Sequence, residues 1–272
     1  MLRAYNRQTV SGTVRIEGPG LHSGASAAAS IGPGDAGIRF REPDGDWVAA
    51  APENVTDTSR CTRLGAISTI EHLMAAFAGL EVTDADVVVE GGELPAAAGC
   101  ATPYVEAIRS AGLTGCGILE IEGPFARIFL QELPTKFAVG LGEGWWRSIY
   151  VRDGEFIGRQ EFEVELNPES FANEVAPART FVLESEIEVA KQYGLGQGLD
   201  GESCLAIGPL GYLNSARFPD EPARHKLLDC IGDMYLAGVP VAHLDVVAEY
   251  TGHKWNVEAA RKLAAAVRIN RT

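Results

Sequence analysis

Along residues 8–50 the apolar positions recur at every second residue in short runs: TVSGTVRIEG, then SGASAAASIGP, then AGIRFREPDGDWVAA. A period of two puts alternate side chains on opposite faces, so the pattern predicts short strands broken by turns. The cluster Pro43-Asp44-Gly45 is itself a turn signal, because proline fixes φ and glycine accepts positive φ. From Ser68 the period becomes helical in STIEHLMAAFAGL, which Gly79 ends. A strand (ADVVVEGG) and a second helix (TPYVEAIRSAG) follow.

Strand-like sequence resumes at Gly115-Cys116-Gly117 with ILEIEG, ARIFLQE, KFAVGL, RSIYVR and EFEVEL. Next come a helix (ESEIEVAKQYG), a glycine-rich stretch (GLGQGLDGE) and a short strand. The helix EPARHKLLDCIGDMYLAG, the strand HLDVVAEYTG and a last helix, VEAARKLAAAVR, complete the chain. Each half therefore gives strands first and helices later. The expectation is an α+β fold of two domains, residues 1–116 and 117–272, each an α/β sandwich with a sheet packed on helices.

With 272 residues and 46% hydrophobic content, the chain can bury two modest cores. No run of eighteen apolar residues occurs, so no membrane-spanning segment is expected. The first residues lack the apolar core of a signal peptide, which predicts a cytoplasmic address. A net charge of −14 weighs against nucleic-acid binding. Five scattered cysteines without a C-x-x-C pair argue against a disulfide framework and an all-cysteine zinc site.

A hydrolytic zinc needs three ligands from His, Cys, Asp or Glu and one open position. Five histidines are available: His22, His72, His225, His243 and His253. In the run RHKLLDCIGD, His225 and Asp229 are four residues apart and share one helix face, with Asp233 roughly beside them. That spacing suits a metal site and equally suits a solvated polar stripe. In Ser68-Thr69-Ile70-Glu71-His72, the serine and Glu71 have capping-box spacing. The same pair, Glu71 and His72, could instead supply a base and a metal ligand. His253 follows a strand and Gly252, a position open to a cleft or a plain turn; Asp233 is the candidate to orient it. His22 reads as a turn residue and His243 as a packed strand residue. There is no Gly-x-Ser-x-Gly elbow and no phosphate-binding P-loop.

Together, VSGTVRIEGPGLHSG, TSRCTRLG, ISTIEHLMAAFAGL, APARTF, RFPDEPARHKLLDCIGD and TGH occur in the order of one family. The chain resembles the UDP-3-O-acyl-N-acetylglucosamine deacetylases, the zinc amidases of lipid A biosynthesis. The resemblance implies a Zn2+ ion on His72, His225 and Asp229, with Glu71 as general base. It makes His253 the cation that stabilises the oxyanion and protonates the leaving amine, oriented by Asp233. Thr180 would help bind the tetrahedral intermediate, Phe181 would lie beside the site, and Lys226 would meet substrate phosphate or polar groups. The implied ligand is a UDP-linked acylated amino sugar, and the implied fold is a two-layer sandwich repeated in two domains.

Three substituted stretches depart from the family pattern, and the loop between Leu64 and Ser68 is shortened. Pro95-Ala96-Ala97-Ala98-Gly99-Cys100 stands where Pro-x-Met-Asp-Gly-Ser is usual. Gly154-Glu155 replaces a His-Pro pair, and Lys254-Trp255 follows His253 where Ala-Leu is usual. All ligands and proton-transfer residues are spared, so the changes are expected to bear on substrate selection, with Lys254 and Trp255 reshaping the pocket. Two alternatives stay open: a paralogue acting on another N-acylated compound, and a non-catalytic zinc-binding relative serving as a subunit. Acyl-chain length and oligomeric state are not encoded in any recognisable pattern.

Overall fold

Two five-stranded sheets carry the fold, and each is built by the same sequence of strand pairings. The structure, a computed structural model, describes residues 2–123 and 127–272. Ala126, the first residue of the expected strand ARIFLQE, lies outside the described residues; the rest of that strand is Ile128–Glu132. The first sheet runs Val14–Pro19, Ser26–Gly32, Ala85–Glu90, Ile38–Arg41, Val48–Ala49 across its width. The second runs Ile128–Glu132, Thr135–Leu141, Leu244–Glu249, Trp145–Arg152, Gly158–Glu165. Numbered within each sheet, both orders are 1-2-5-3-4. In both, the last strand joins the third in parallel while the other pairings are antiparallel. In both repeats one helix, Glu71–Gly79 or Glu221–Tyr235, comes last before the fifth strand and another, Thr102–Ala111 or His253–Ala265, follows it; the second repeat adds the helix Glu184–Gln192 ahead of these. The expected α+β architecture of repeated sandwiches is what forms.

A third sheet ties the repeats together, pairing Leu2–Val10 and Arg268–Arg271 with the two edges of Leu113–Glu122. Gly115, Cys116 and Gly117 lie inside that central strand. Beneath it, Arg7 and Asp84 form a buried ion pair of 2.7 Å.

The helix Glu71–Gly79 is buried at all nine positions, because it packs against the helices Glu221–Tyr235 and Thr102–Ala111 within the common apolar core. Its sequence EHLMAAFAG accordingly has no polar face beyond its first two residues. Gly232 makes the helix pairing possible: a Cβ there would come within 2.0 Å of the Glu71 carbonyl oxygen. Gly79 likewise has no room for a side chain, since a Cβ would meet the Phe171 ring at 2.1 Å. The two central helices therefore touch at the residues that carry the candidate chemistry.

Three local expectations change. The first helix starts at Glu71 rather than Ser68. Ser68 forms a parallel bridge to Glu93, and Thr69 adopts a φ of 63°, which breaks the helix path. The capping box consequently does not form; the helix entry has no side-chain cap. The last helix begins earlier than its apolar pattern suggested, at His253, with Gly252 as N-cap. His243 is not a strand residue: it closes the short turn Val241–His243, with its ring 4.8 Å from that of Tyr5.

Candidate metal centre and active site

His225 and Asp229 are only 3% and 2% exposed, which removes the reading of their helix face as a solvated stripe. His72, equally buried at 3%, meets them from the first helix. One ligand atom from each of the three lies within 4.8 Å of the others. His225 Nε2 is 3.4 Å from Asp229 Oδ1, and His72 Nε2 is 3.7 Å from the same oxygen. These separations are too long for good hydrogen bonds. They match the edge of a tetrahedron with bonds of about 2.0–2.1 Å, which places ligands roughly 3.3 Å apart.

The protonation of His225 follows from its other nitrogen. Nδ1 lies 3.0 Å from the Ala178 carbonyl oxygen, which can only accept, so Nδ1 carries the proton and Nε2 presents a lone pair. Burial drives the pKa of His225 down to about 4, so the imidazole is neutral in ordinary buffers. Burial alone would raise the Asp229 carboxyl. His225 and the Lys226 ammonium, 2.9 Å from Oδ2, instead hold it well below the usual carboxylate range. Two imidazoles and one carboxylate, all buried, are a donor set that fits a divalent zinc ion.

Glu71 and His253 complete the cluster. Burial pushes the Glu71 carboxyl up, opposed by His253 and His72. Glu71 does not cap its helix; its Oε2 accepts from the Thr62 backbone N–H at 2.9 Å. For His253 the balance is reversed. Burial would lower its pKa, but Asp233, with Oδ2 3.0 Å from Nδ1, raises it to about 9. Asp233 is fully buried and also accepts from the Thr62 hydroxyl and, at 3.0 Å, from Asn256 Nδ2. Three donors on one carboxylate fix its position and offset its loss of water.

Thr62 and Asn256 were not singled out by sequence. Thr62 is notable because its amide holds Glu71 while its hydroxyl holds Asp233. A threonine in a loop carries no such signal alone; only the fold brings residue 62 to residue 233.

A pocket of about 480 Å³ opens onto the cluster. Thr180, Phe181 and Lys226 line it together with His22, a turn residue as expected that also faces the site. One wall is apolar, formed by Val182, Val189, Ala190, Leu195 and Leu199. Gln197 and Gly198 of the glycine-rich stretch donate backbone bonds to His22 and Leu21 at 3.1 and 3.2 Å, closing that wall against the first repeat. A second opening of about 290 Å³ shares Thr180, Phe181 and Lys226 and adds Tyr150, Arg152 and Tyr250.

The sequence profile of the UDP-3-O-acyl N-acetylglycosamine deacetylases matches residues 7–265. The chain belongs to that family. Among proteins named UDP-3-O-acyl-N-acetylglucosamine deacetylase, the one from Anaeromyxobacter dehalogenans is 34% identical across 97% of this chain and 89% of its own. Those of Trichormus variabilis (33%, 95% of this chain, 98% of its own) and Geotalea uraniireducens (37%, 92% and 85%) are similar.

The departures from the deacetylase pattern separate in space. Lys254 and Trp255, with the ammonium 4.8 Å from the indole centroid, line a different cleft, bounded by Val55–Asp57 and Phe129–Glu132. The expectation that they reshape the metal pocket is therefore corrected. Helix geometry explains it: His253 points inward, and the next two residues are turned about 100° and 200° around the axis. Gly154 and Glu155 sit in a surface turn and line neither opening. Only the third departure touches the site, because the Gly99 carbonyl accepts from the Thr180 N–H at 2.7 Å. Ala97 and Ala98 there hold φ values of 49° and 56°, a left-handed conformation costly for alanine.

Proposed function

We propose that the chain hydrolyses the N-acetyl group of a UDP-3-O-acyl-N-acetylglucosamine, the committed step of lipid A biosynthesis, with zinc held by His72, His225 and Asp229. The observation that carries this reading is the convergence of three buried ligands beside a Glu71 of raised pKa and a cationic His253. When bound, the ion supplies Lewis-acid polarisation of the amide carbonyl and makes water a stronger acid.

The chain's own residues do the rest. Glu71, held by the Thr62 amide, accepts the proton of the attacking water, and its raised pKa suits a base working near neutrality. Positive charge on His253 and the Thr180 side chain face the oxygen on which negative charge develops. An amine leaves only when protonated, and His253 Nε2 is free to give that proton because Nδ1 is engaged by Asp233. Asp233 keeps the imidazole in that orientation. Phe181 borders the sugar position, and Lys226 at the junction of the two openings suits the diphosphate. The apolar wall suits the acyl chain.

The surroundings favour this substrate over another N-acyl compound, since two of the three departing stretches lie away from the pocket. We place the activity in the cytoplasm, where a nucleotide sugar is made; among the described residues no helix is long and apolar enough to cross a membrane. We retain residues 1–116 and 117–272 as the two domains, because each five-stranded sheet uses strands from one side of that division only.

The test is acetate release from the UDP-linked substrate by zinc-loaded protein. Turnover that collapses in Glu71→Ala supports the assignment. Absence of turnover in a zinc-loaded wild type, indistinguishable from Glu71→Ala, removes it.

A further inference from the structure

His225 owes its orientation to the Ala178 carbonyl, and the residue after Ala178 is one of the most heavily bonded in the molecule. Arg179 is buried, with its side chain 4% exposed, and faces Glu221, which is fully buried. Its Nε donates to Glu221 Oε1 at 2.8 Å and its Nη2 to Oε2 at 3.2 Å, a two-point fork. The backbone N–H of Arg179 donates to Oε1 as well, at 3.0 Å. The remaining guanidinium donors reach the Ser215 carbonyl at 2.7 Å and the Glu202 carbonyl at 3.2 Å. Glu221 Oε2 also takes the Arg217 N–H at 2.6 Å. Burial would raise the Glu221 carboxyl, but Arg179 holds it below the usual range, so the pair is ionised.

The location of this pair matters more than its strength. Glu221 opens the helix Glu221–Tyr235 and lies one turn before His225 on the same face. Arg179 lies between Ala178, which fixes the His225 imidazole, and Thr180, which lines the pocket. The fork thus clamps the start of the ligand helix to the segment whose carbonyl orients the ligand. A buried ion pair is weak evidence for stability, since burying both charges costs about as much as their attraction returns. A role in geometry explains its presence better.

We propose that Arg179 and Glu221 are positioning residues for His225, setting the Ala178 carbonyl against Nδ1 so that Nε2 meets the metal. The inference rests on the reading of His72, His225 and Asp229 as zinc ligands. Lysine at 179 would keep the charge but lose the fork and the bonds to Ser215 and Glu202. Glutamine at 221 would keep the shape and lose the charge.

Zinc dissociation constants, measured by competition with a chelating dye, test it on Arg179→Lys, Glu221→Gln and a control, Arg7→Lys. The control loosens a buried pair of the same kind, Arg7–Asp84, away from the site. Thermal unfolding of the metal-free proteins runs alongside. The proposal expects zinc binding weakened by about 10–100-fold in both site variants, the range for lost outer-shell partners of a metal ligand. It expects the control to bind zinc as wild type does, whatever its loss of thermal stability. If Arg179→Lys shows no cooperative unfolding transition, Glu221→Gln carries the test. Wild-type affinity in the folded site variants overturns the positioning role and leaves the zinc reading intact, as does an equal loss in the control. A wild type that binds no zinc overturns both.

Discussion

The imidazole of His253 keeps its proton because Asp233 lies 3.0 Å from Nδ1 and is itself fixed by Thr62 and Asn256. Its pKa, about 9, stands above the ordinary value of about 6.5. The cation is therefore complete below the ordinary value and is lost as pH rises through about 9. Activity that needs it should show an alkaline limb near that pH. Asp233→Asn should move this limb down towards about 6.5, read from the pH profile of kcat/KM; an unmoved limb would assign it to another group. At Glu71 the expected loss is in kcat. Glu71→Gln should lower it by about 10²–10⁴-fold with zinc content unchanged. At this scale local spacing was informative about residue types but not about their use, which only the family resemblance implied. Glu71 had capping-box spacing and equally the makings of a base. Only the fold decided the first point, by turning Thr69 to positive φ and starting the helix at Glu71.

Among the elements, the two central helices determine whether ligands from separate repeats can meet. Their approach depends on Gly232, where an added methyl would come within 2.0 Å of the Glu71 carbonyl oxygen, a backbone atom with nowhere to go. Gly232→Ala should destabilise by about 1–3 kcal/mol, as overpacking does, and should also lower kcat by shifting Glu71 against His225. Gly201→Ala, with nothing within 4 Å of its Cβ, is the control for both effects. Chemical denaturation with parallel assays separates them, and a Gly232→Ala protein as stable and active as Gly201→Ala would contradict the close-packing account. The helix EPARHKLLDCIGDMYLAG was legible in its apolar period, whereas its burial on the polar side was not. Amphipathic patterning predicts one buried face, and this helix buries its His–Asp face as well, against the first repeat.

For the whole molecule, the repeated 1-2-5-3-4 sheets bring the central helices of both repeats together, so a metal held by His72, His225 and Asp229 would link the repeats. An ion that binds the folded chain alone stabilises it in proportion to RT ln(1 + [L]/Kd), about 2.7 kcal/mol at a hundredfold excess over Kd. Chelation should therefore lower Tm and abolish activity together, and zinc should restore both. His225→Ala should show neither response. A Tm indifferent to chelator in the wild type would separate the metal from the fold. The strand–helix order of each half was legible in the sequence. The identity of the two sheet orders was not, because it depends on long-range pairings such as Trp145–Arg152 beside Leu244–Glu249. The contacts that hold Glu71 and His253 depend on the same long-range packing: Thr62 and Asp233 are 171 positions apart and share one hydrogen bond. The most direct measurement of the central claim is anomalous diffraction at the zinc edge from crystals of the zinc-loaded protein. The account predicts one peak about 2.0–2.2 Å from His72 Nε2, His225 Nε2 and an oxygen of Asp229. A peak elsewhere, or one at Glu71 and His253 with the other three unengaged, would contradict it.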